Sequence, residues 1–90
     1  MAEPLRLLER MRRSKAGWKL ADVHRLYTGF GFEWEDGGKH RVYKHLRYLA
    51  IRATVTRSSG ALPPGYISMA VRLIDRLLES EAQDEQQSRR

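Results

Sequence analysis

The chain has 90 residues, no cysteine and a formal net charge of +6. This length fits one domain with a compact core, the lack of cysteine excludes disulfides and thiolate chemistry, and the charge favours an acidic partner, with nucleic acid ahead of a membrane surface. Apolar runs are far shorter than the roughly 20 residues that cross a bilayer and no signal-peptide pattern opens the chain, so we expect a cytoplasmic protein without a membrane partner.

Positive charge is concentrated in the first two thirds of the chain. Residues 1–19 carry six Lys or Arg against two Asp or Glu, residues 20–60 carry seven against four, and residues 61–90 carry four against five. We therefore expect a polyanion to bind the first two segments. Three scattered histidines without clustered carboxylates predict no metal site, and we expect no cofactor.

The first predicted element is a short helix over residues 4–13, with Pro4 in its tolerated first-turn position. A thin apolar side and a basic face favour a lid or a partner-binding extension over a dedicated RNA-binding arm. Residues 14–17 read as a linker. The apolar side consists of Leu5, Leu8 and Met11.

A second helix is predicted over residues 20–27, where apolar residues recur at helical spacing. Gly29 and Phe30 follow where a left-handed C-terminal residue and its hydrophobic contact belong. Trp18 fits a core-capping aromatic better than a base-stacking platform, and His24 fits a partly buried structural histidine better than a ligand.

Two strands joined by a glycine turn are predicted next. The segment 30–35 alternates in polarity with Phe30, Phe32 and Trp34 facing inward, and a second strand covers residues 39–44. Between them, Gly37 and Gly38 supply the positive φ values of a tight turn after Asp36.

The second strand has two alternative orientations. Either Val42 faces the core together with His40, or Tyr43 does and leaves His40 and Lys44 on the open face. Tyr43 buries more apolar area and the second orientation avoids burying an imidazole, so we favour it.

The remaining elements are a third strand and a final helix. Residues 45–49 turn the chain, the strand covers residues 50–56, and residues 57–65 form a loop. An amphipathic helix then runs over residues 66–79. One face of the strand carries Ile51, Ala53 and Val55, and the other carries Arg52, Thr54 and Thr56, which can share the open face with His40.

The predicted fold class is α+β. A helix, three antiparallel strands and a helix, with both helices on one face of the sheet, form the α-β-β-β-α core of double-stranded RNA-binding-like domains, here with an extra N-terminal helix. We divide the chain into an N-terminal helix and linker (1–16), a catalytic or RNA-binding domain (17–79) and a disordered polar tail (80–90).

Within this order, short motifs over about residues 17–78 resemble the HicA family of bacterial messenger RNA interferase toxins. Phe30-Gly31-Phe32 is similar to the family's first strand, Gly38-Lys39-His40 to its glycine-x-histidine site and Tyr43-Lys44-His45 to its aromatic-basic-histidine continuation. Val55-Thr56 is similar to its third strand, and Leu62-Pro63-Pro64-Gly65 to the proline-glycine entry of its last helix.

The resemblance implies the toxin of a type II toxin-antitoxin system, an endoribonuclease that cleaves mRNA and is blocked by a HicB-like antitoxin protein. It nominates His40 alone as the catalytic residue. The chain departs from the family pattern at two points. Lys39 stands where the family commonly has serine, and the N-terminal helix is an addition.

The chemistry of the residues agrees with an RNA substrate. An imidazole accepts and donates protons near neutral pH, and RNA supplies its own nucleophile in the 2′-hydroxyl, so one positioned histidine is enough for acid or base catalysis without a metal. Whether His40 acts as base, acid or both stays open. Phosphate contacts are assigned to Lys39, Arg41 and Lys44, with Arg52 and Arg57 as more distant RNA-binding candidates.

Three alternatives remain open at this point. His45 is either a second proton-transfer group or a surface histidine at a strand end. The whole chain is alternatively a non-catalytic RNA-binding module, whose basic face recognises phosphates and 2′-hydroxyls by shape. A third reading is a protein-protein adaptor that uses the N-terminal helix and the acidic tail.

Overall fold

A computed structural model of the chain describes residues 2–88 as three helices and one three-stranded sheet. The strands are antiparallel and adjacent in chain order, and the helices pack on one face. This confirms the α+β class, the α-β-β-β-α order and the additional N-terminal helix. The elements are α1 (Ala2–Arg13), α2 (Leu20–Gly29), β1 (Phe32–Gly37), β2 (His40–His45), β3 (Arg52–Thr56) and α3 (Pro64–Ser88).

The strand register decides which side chains meet the helices. Tyr43 pairs with Ala53 on β3, is fully buried, and stacks on Tyr27 of α2 with ring centroids 4.6 Å apart. Because successive residues of a strand point to opposite faces, His40 and Lys44 lie on the uncovered face. The orientation with Tyr43 inward is therefore confirmed, as expected from its larger apolar area.

Helix α1 belongs to the core, and the prediction that it is a lid or an extension is wrong. Leu7, Leu8 and Met11 are buried, and α1 contacts both α2 and α3. Leu5, predicted to lie on the apolar side, is instead 43% exposed. The buried stripe is rotated toward Leu7 because α1 packs between two helices, which the sequence of α1 alone does not specify.

The end of α2 approaches the start of α1 closely. Gly29 is the last residue of α2, and a Cβ built on it would lie 2.6 Å from Cγ of Pro4. The left-handed residue that ends the helix is Gly31, with φ of 91°, and not Gly29 as the sequence predicts. Gly29 is thus required for helix packing and not for its backbone angle.

We expect Gly29→Ala to destabilise the protein. Helix propensity alone predicts a gain of up to about 1 kcal/mol for this change, whereas forcing the Pro4 ring aside costs about 1–3 kcal/mol. Urea unfolding of the full chain measures the net change in the free energy of unfolding. Gly60→Ala is the matched control, because no atom lies within 4 Å of its added Cβ. A variant more stable than the wild type would show that α1 and α2 do not pack this closely.

The first hairpin is shifted relative to the prediction. β1 begins at Phe32 and continues through Gly37, and only Gly38, with φ of 62°, has a positive φ in the turn. Gly38 and Lys39 thus form a two-residue loop with the φ pattern of a type II′ turn. Trp34 lies on the helix side of the sheet, as predicted, and its ring meets His24 of α2, but it is 47% exposed because β1 is an edge strand.

Helix α3 is longer than predicted at both ends. It begins at Pro64 and continues to Ser88, although the sequence predicts a disordered tail from residue 80. The Tyr48 hydroxyl donates a hydrogen bond of 2.5 Å to Asp84, and Arg47 lies 3.4 Å from the same carboxylate. These polar contacts hold the last turns of α3 against the β2–β3 loop, although residues 80–88 of the helix have no apolar face. Residues 89 and 90 of the predicted tail lie outside the described residues.

Candidate nucleic-acid interface

The uncovered face of the sheet carries polar side chains from all three strands. His40 opens β2 and lies between Gly37 on β1 and Thr56 on β3. At the other end of β2, Lys44 lies between Glu33 and Arg52. We call this surface the open face, and it consists of Glu33, Glu35, His40, Val42, Lys44, Arg52, Thr54 and Thr56.

His40 is the exposed imidazole of the open face. Its β1 neighbour is a glycine without a side chain, and its β3 neighbour is the hydroxyl-bearing Thr56. No hydrogen bond or ion pair joins its ring to any other residue between 2 and 88. Both ring nitrogens are therefore free to exchange protons with a bound ligand.

Lys44 and Arg52 form the basic part of the open face. They are cross-strand neighbours on β2 and β3, and both are exposed. Neither makes an ion pair within the part of the chain described, although Glu33 stands opposite Lys44 on β1. The acidic residues Glu33 and Glu35 border this face along β1 only. An anion is consequently favoured over β2 and β3, on the side of His40 away from β1.

Arg41, to which the sequence assigns a phosphate contact, does not belong to the open face. It points to the helix side of the sheet, where its Nε donates to Asp36 Oδ1 at 2.6 Å. Its guanidinium also lies 4.4 Å from the centre of the Trp34 ring and donates from Nη1 to His24 Nδ1 at 3.2 Å. The hydrogen bonds from Arg41 lower the pKa of Asp36.

The position of Arg41 follows from the turn. With a two-residue loop at Gly38 and Lys39, Asp36 and Arg41 become cross-strand partners and must share one face. The sequence indicates this pair once the turn is placed correctly, because a two-residue hairpin loop leaves the residues two positions before and after it opposite each other.

His24 is partly buried, in agreement with the structural role expected for it. Its Nδ1 lies 3.0 Å from the Tyr43 hydroxyl as well as accepting from Arg41, and its ring meets Trp34 edge-on with centroids 5.0 Å apart. Burial lowers the pKa of His24, and the positive charge of Arg41 lowers it further. His24 is thus a neutral acceptor that holds Arg41 on the helix side.

Lys39 and Arg57 lie together at the hairpin tip. The Arg57 amide donates to the Lys39 carbonyl at 2.7 Å, and Arg57 Nη1 donates to the Gly38 carbonyl at 2.9 Å. They share a depression with Arg41. The structure therefore divides the five predicted RNA-binding residues into two groups, with Lys44 and Arg52 on the open face and Lys39, Arg41 and Arg57 at the tip.

His45 is buried, so both sequence interpretations of this residue are corrected. Only 6% of it is exposed. Its Nδ1 accepts the amides of Arg47 and Tyr48 at 3.1 and 3.2 Å, and its Nε2 lies 3.0 Å from the Phe30 carbonyl, to which it donates. Both nitrogens are occupied by the backbone. His45 therefore shapes the loop after β2 and is unavailable to a substrate.

Two further observations concern metal ions and membranes. Within residues 2–88, no group of three or more His, Cys, Asp or Glu side chains is arranged to hold a metal ion. None of the described helices has both the length and the apolar character needed to cross a membrane.

Comparisons of the chain with known protein families, with curated proteins and with solved structures found no match in any of the three. The resemblance to the HicA family accordingly stays a prediction that depends on the motifs of this chain.

Proposed function

We propose that the protein is a metal-independent endoribonuclease that cleaves mRNA, with His40 as its catalytic residue. The observation that carries this proposal is the strand register, which puts His40 on the same uncovered sheet face as Lys44 and Arg52, exposed and without a partner among residues 2–88. A proton-transfer group and two cations on one rigid surface are what cleavage of a phosphodiester by its own 2′-hydroxyl requires.

In the proposed reaction, the 2′-oxygen of RNA attacks the adjacent phosphorus. A bond from the 2′-oxygen to phosphorus forms, the bond from phosphorus to the 5′-oxygen breaks, and the proton of the 2′-hydroxyl leaves while the 5′-oxygen gains one. His40 transfers one or both of these protons, which typically accelerates such a step by about 10² to 10⁴. Lys44 and Arg52 offset the charge that develops on the phosphate oxygens.

The same face suits inhibition by a protein. As the toxin of a type II toxin-antitoxin pair, the chain would be blocked by a HicB-like antitoxin that covers His40. Such a partner must present acidic or hydrogen-bonding groups to Lys44 and Arg52, because burying these cations unpaired is unfavourable. Arg41 needs no such partner at this surface, because it lies on the other face of the sheet.

The proposal is tested by incubating the purified chain with single-stranded mRNA in the presence of EDTA. We expect cleavage that leaves a 2′,3′-cyclic phosphate and a free 5′-hydroxyl, because the nucleophile belongs to the RNA. The control substrate carries 2′-deoxyribose at the cleaved position and should stay intact. Binding without cleavage of the ribose substrate would instead establish a non-catalytic RNA-binding module.

A further inference from the structure

We propose that Lys39, Arg41 and Arg57 form a second anion site, separate from the open face, which takes a non-scissile phosphate of the RNA strand. The identity of this ligand rests on the proposed function. The three cations line one depression of about 410 Å³ at the hairpin tip, and we call it the tip site. The rest of its lining is Leu20, Gly38 and Ser58.

Arg57 is held in place by the backbone and keeps part of its guanidinium free. Its Nη1 donates to the Gly38 carbonyl at 2.9 Å, and its Nε lies 3.7 Å from Asp36 Oδ2. Its Nη2 has no partner among residues 2–88. A guanidinium that is oriented before binding loses less side-chain entropy when it meets a phosphate.

The charge of the tip site stays positive after its internal pairing. Asp36 is the one carboxylate that pairs with these cations within the described chain, and Arg41 and Arg57 share it. Lys39 makes no ion pair within the same residues. Three cations against one anion leave an excess of positive charge around the depression, which attracts a phosphate group.

The N-terminus of α2 opens onto the same depression through Leu20. Lys19, the residue before the helix, has no side-chain acceptor for the free amides of the first turn. The Asp22 carboxylate accepts the Lys19 amide at this same helix end and pairs with Arg25 at 2.8 Å. Because this carboxylate offsets the partial positive charge of the helix end, the attraction of the tip site for an anion depends on its three cationic side chains.

The position of the tip site relative to His40 favours RNA over a free anion. Lys39 precedes His40 in the chain, and Arg57 follows Thr56, the cross-strand partner of His40. Consecutive residues of a strand face opposite sides, so the tip site and His40 lie on the two sides of the same sheet end. A strand that bends around the hairpin tip can present one phosphodiester to His40 and a neighbouring phosphate to Arg57.

The first test titrates the full-length chain with inorganic pyrophosphate, followed by NMR or calorimetry. Arg57→Gln keeps a donor for the Gly38 carbonyl but removes the charge. We expect it to weaken binding about tenfold, the effect of losing one hydrogen bond to a charged group. Arg72→Gln on α3 is the matched control, because Arg72 is exposed and has no partner among residues 2–88, and it should bind like the wild type. Equal losses in both variants would overturn the site.

The second test measures RNA affinity as a function of salt. If Arg57 neutralises an RNA phosphate, Arg57→Gln should lower the slope of log affinity against log salt by about 0.7, for RNAs of unrelated sequence. A variant that loses pyrophosphate binding but keeps the wild-type slope would overturn RNA as the ligand.

The outcome for the tip site is independent of the outcome for His40. His40→Ala should bind pyrophosphate like the wild type, because His40 lies on the opposite side of the sheet. If Arg57→Gln binds pyrophosphate normally while His40→Ala stops cleavage, the tip site is refuted and the nuclease stands. If Arg57→Gln loses pyrophosphate binding while His40→Ala cleaves normally, the tip site stands as an anion site, and the catalytic role of His40 is refuted.

Discussion

Replacement of His40 by alanine should reduce RNA cleavage by about 10² to 10⁴ while leaving the fold and the RNA affinity almost unchanged. The side chain is exposed and unpartnered within residues 2–88, so the free energy of unfolding should change by less than about 0.5 kcal/mol. RNA affinity should persist because Lys44, Arg52 and the tip site are untouched. The measurements are single-turnover cleavage at saturating RNA, RNA binding at fixed salt, and growth of cells that overproduce the variant, which should lose the toxic effect.

Two controls make this result specific to the imidazole of His40. His24→Gln removes a histidine on the other side of the sheet and keeps an acceptor for Arg41, so its rate at saturating RNA should match the wild type. Addition of free imidazole to His40→Ala should restore part of the rate, which a purely structural role would not allow. Cleavage by His40→Ala at the wild-type rate would remove His40 from the mechanism.

Replacement of His45 by alanine should cost far more stability than any change on the open face. It leaves the amides of Arg47 and Tyr48 and the carbonyl of Phe30 without partners, each at a cost of about 1–3 kcal/mol. A total of at least about 3 kcal/mol is a large share of the 5–15 kcal/mol that stabilises an ordinary domain. Thermal and urea unfolding of the full chain should show this loss directly.

The atoms of His45 can be tested separately. His45→Asn keeps an acceptor near the position of Nδ1 and loses the donation to Phe30, so its stability should fall between those of the wild type and His45→Ala. Lys44→Ala is the exposed neighbour and should stay within about 0.5 kcal/mol of the wild type. If His45→Ala were as stable as Lys44→Ala, the loop after β2 would not depend on this ring.

Periodicity and turn composition predicted the part of the site that lies on the open face. An alternating pattern specifies which residues share a face once one of them is known to be buried, and the large apolar area of Tyr43 settled that choice. His40, Lys44 and Arg52 were therefore predicted to lie together, and the strand register confirms it.

The roles of Arg41 and His45 required the tertiary structure. Because the turn lies at Gly38 and Lys39, β1 continues to Gly37 and Asp36 pairs with Arg41. Helix α2 supplies His24 as a second partner for Arg41. His45 is buried because the loop after β2 folds back over it, an arrangement that no local pattern in residues 45–49 indicates.

The sequence by itself determined the order of helices and strands, the α+β class and the open face, because these depend on short-range periodicity and on residues with special backbone angles. Only the tertiary structure decided that α1 packs into the core through Leu7, that α3 continues to Ser88, and that the basic residues divide between the open face and the tip site. These features depend on contacts between segments far apart in the chain, such as the bidentate pair of Arg12 with Asp75 at 2.6 and 2.7 Å. Such contacts form only where packing brings both partners together. The local sequence around either partner does not indicate that the other will lie close to it in the fold.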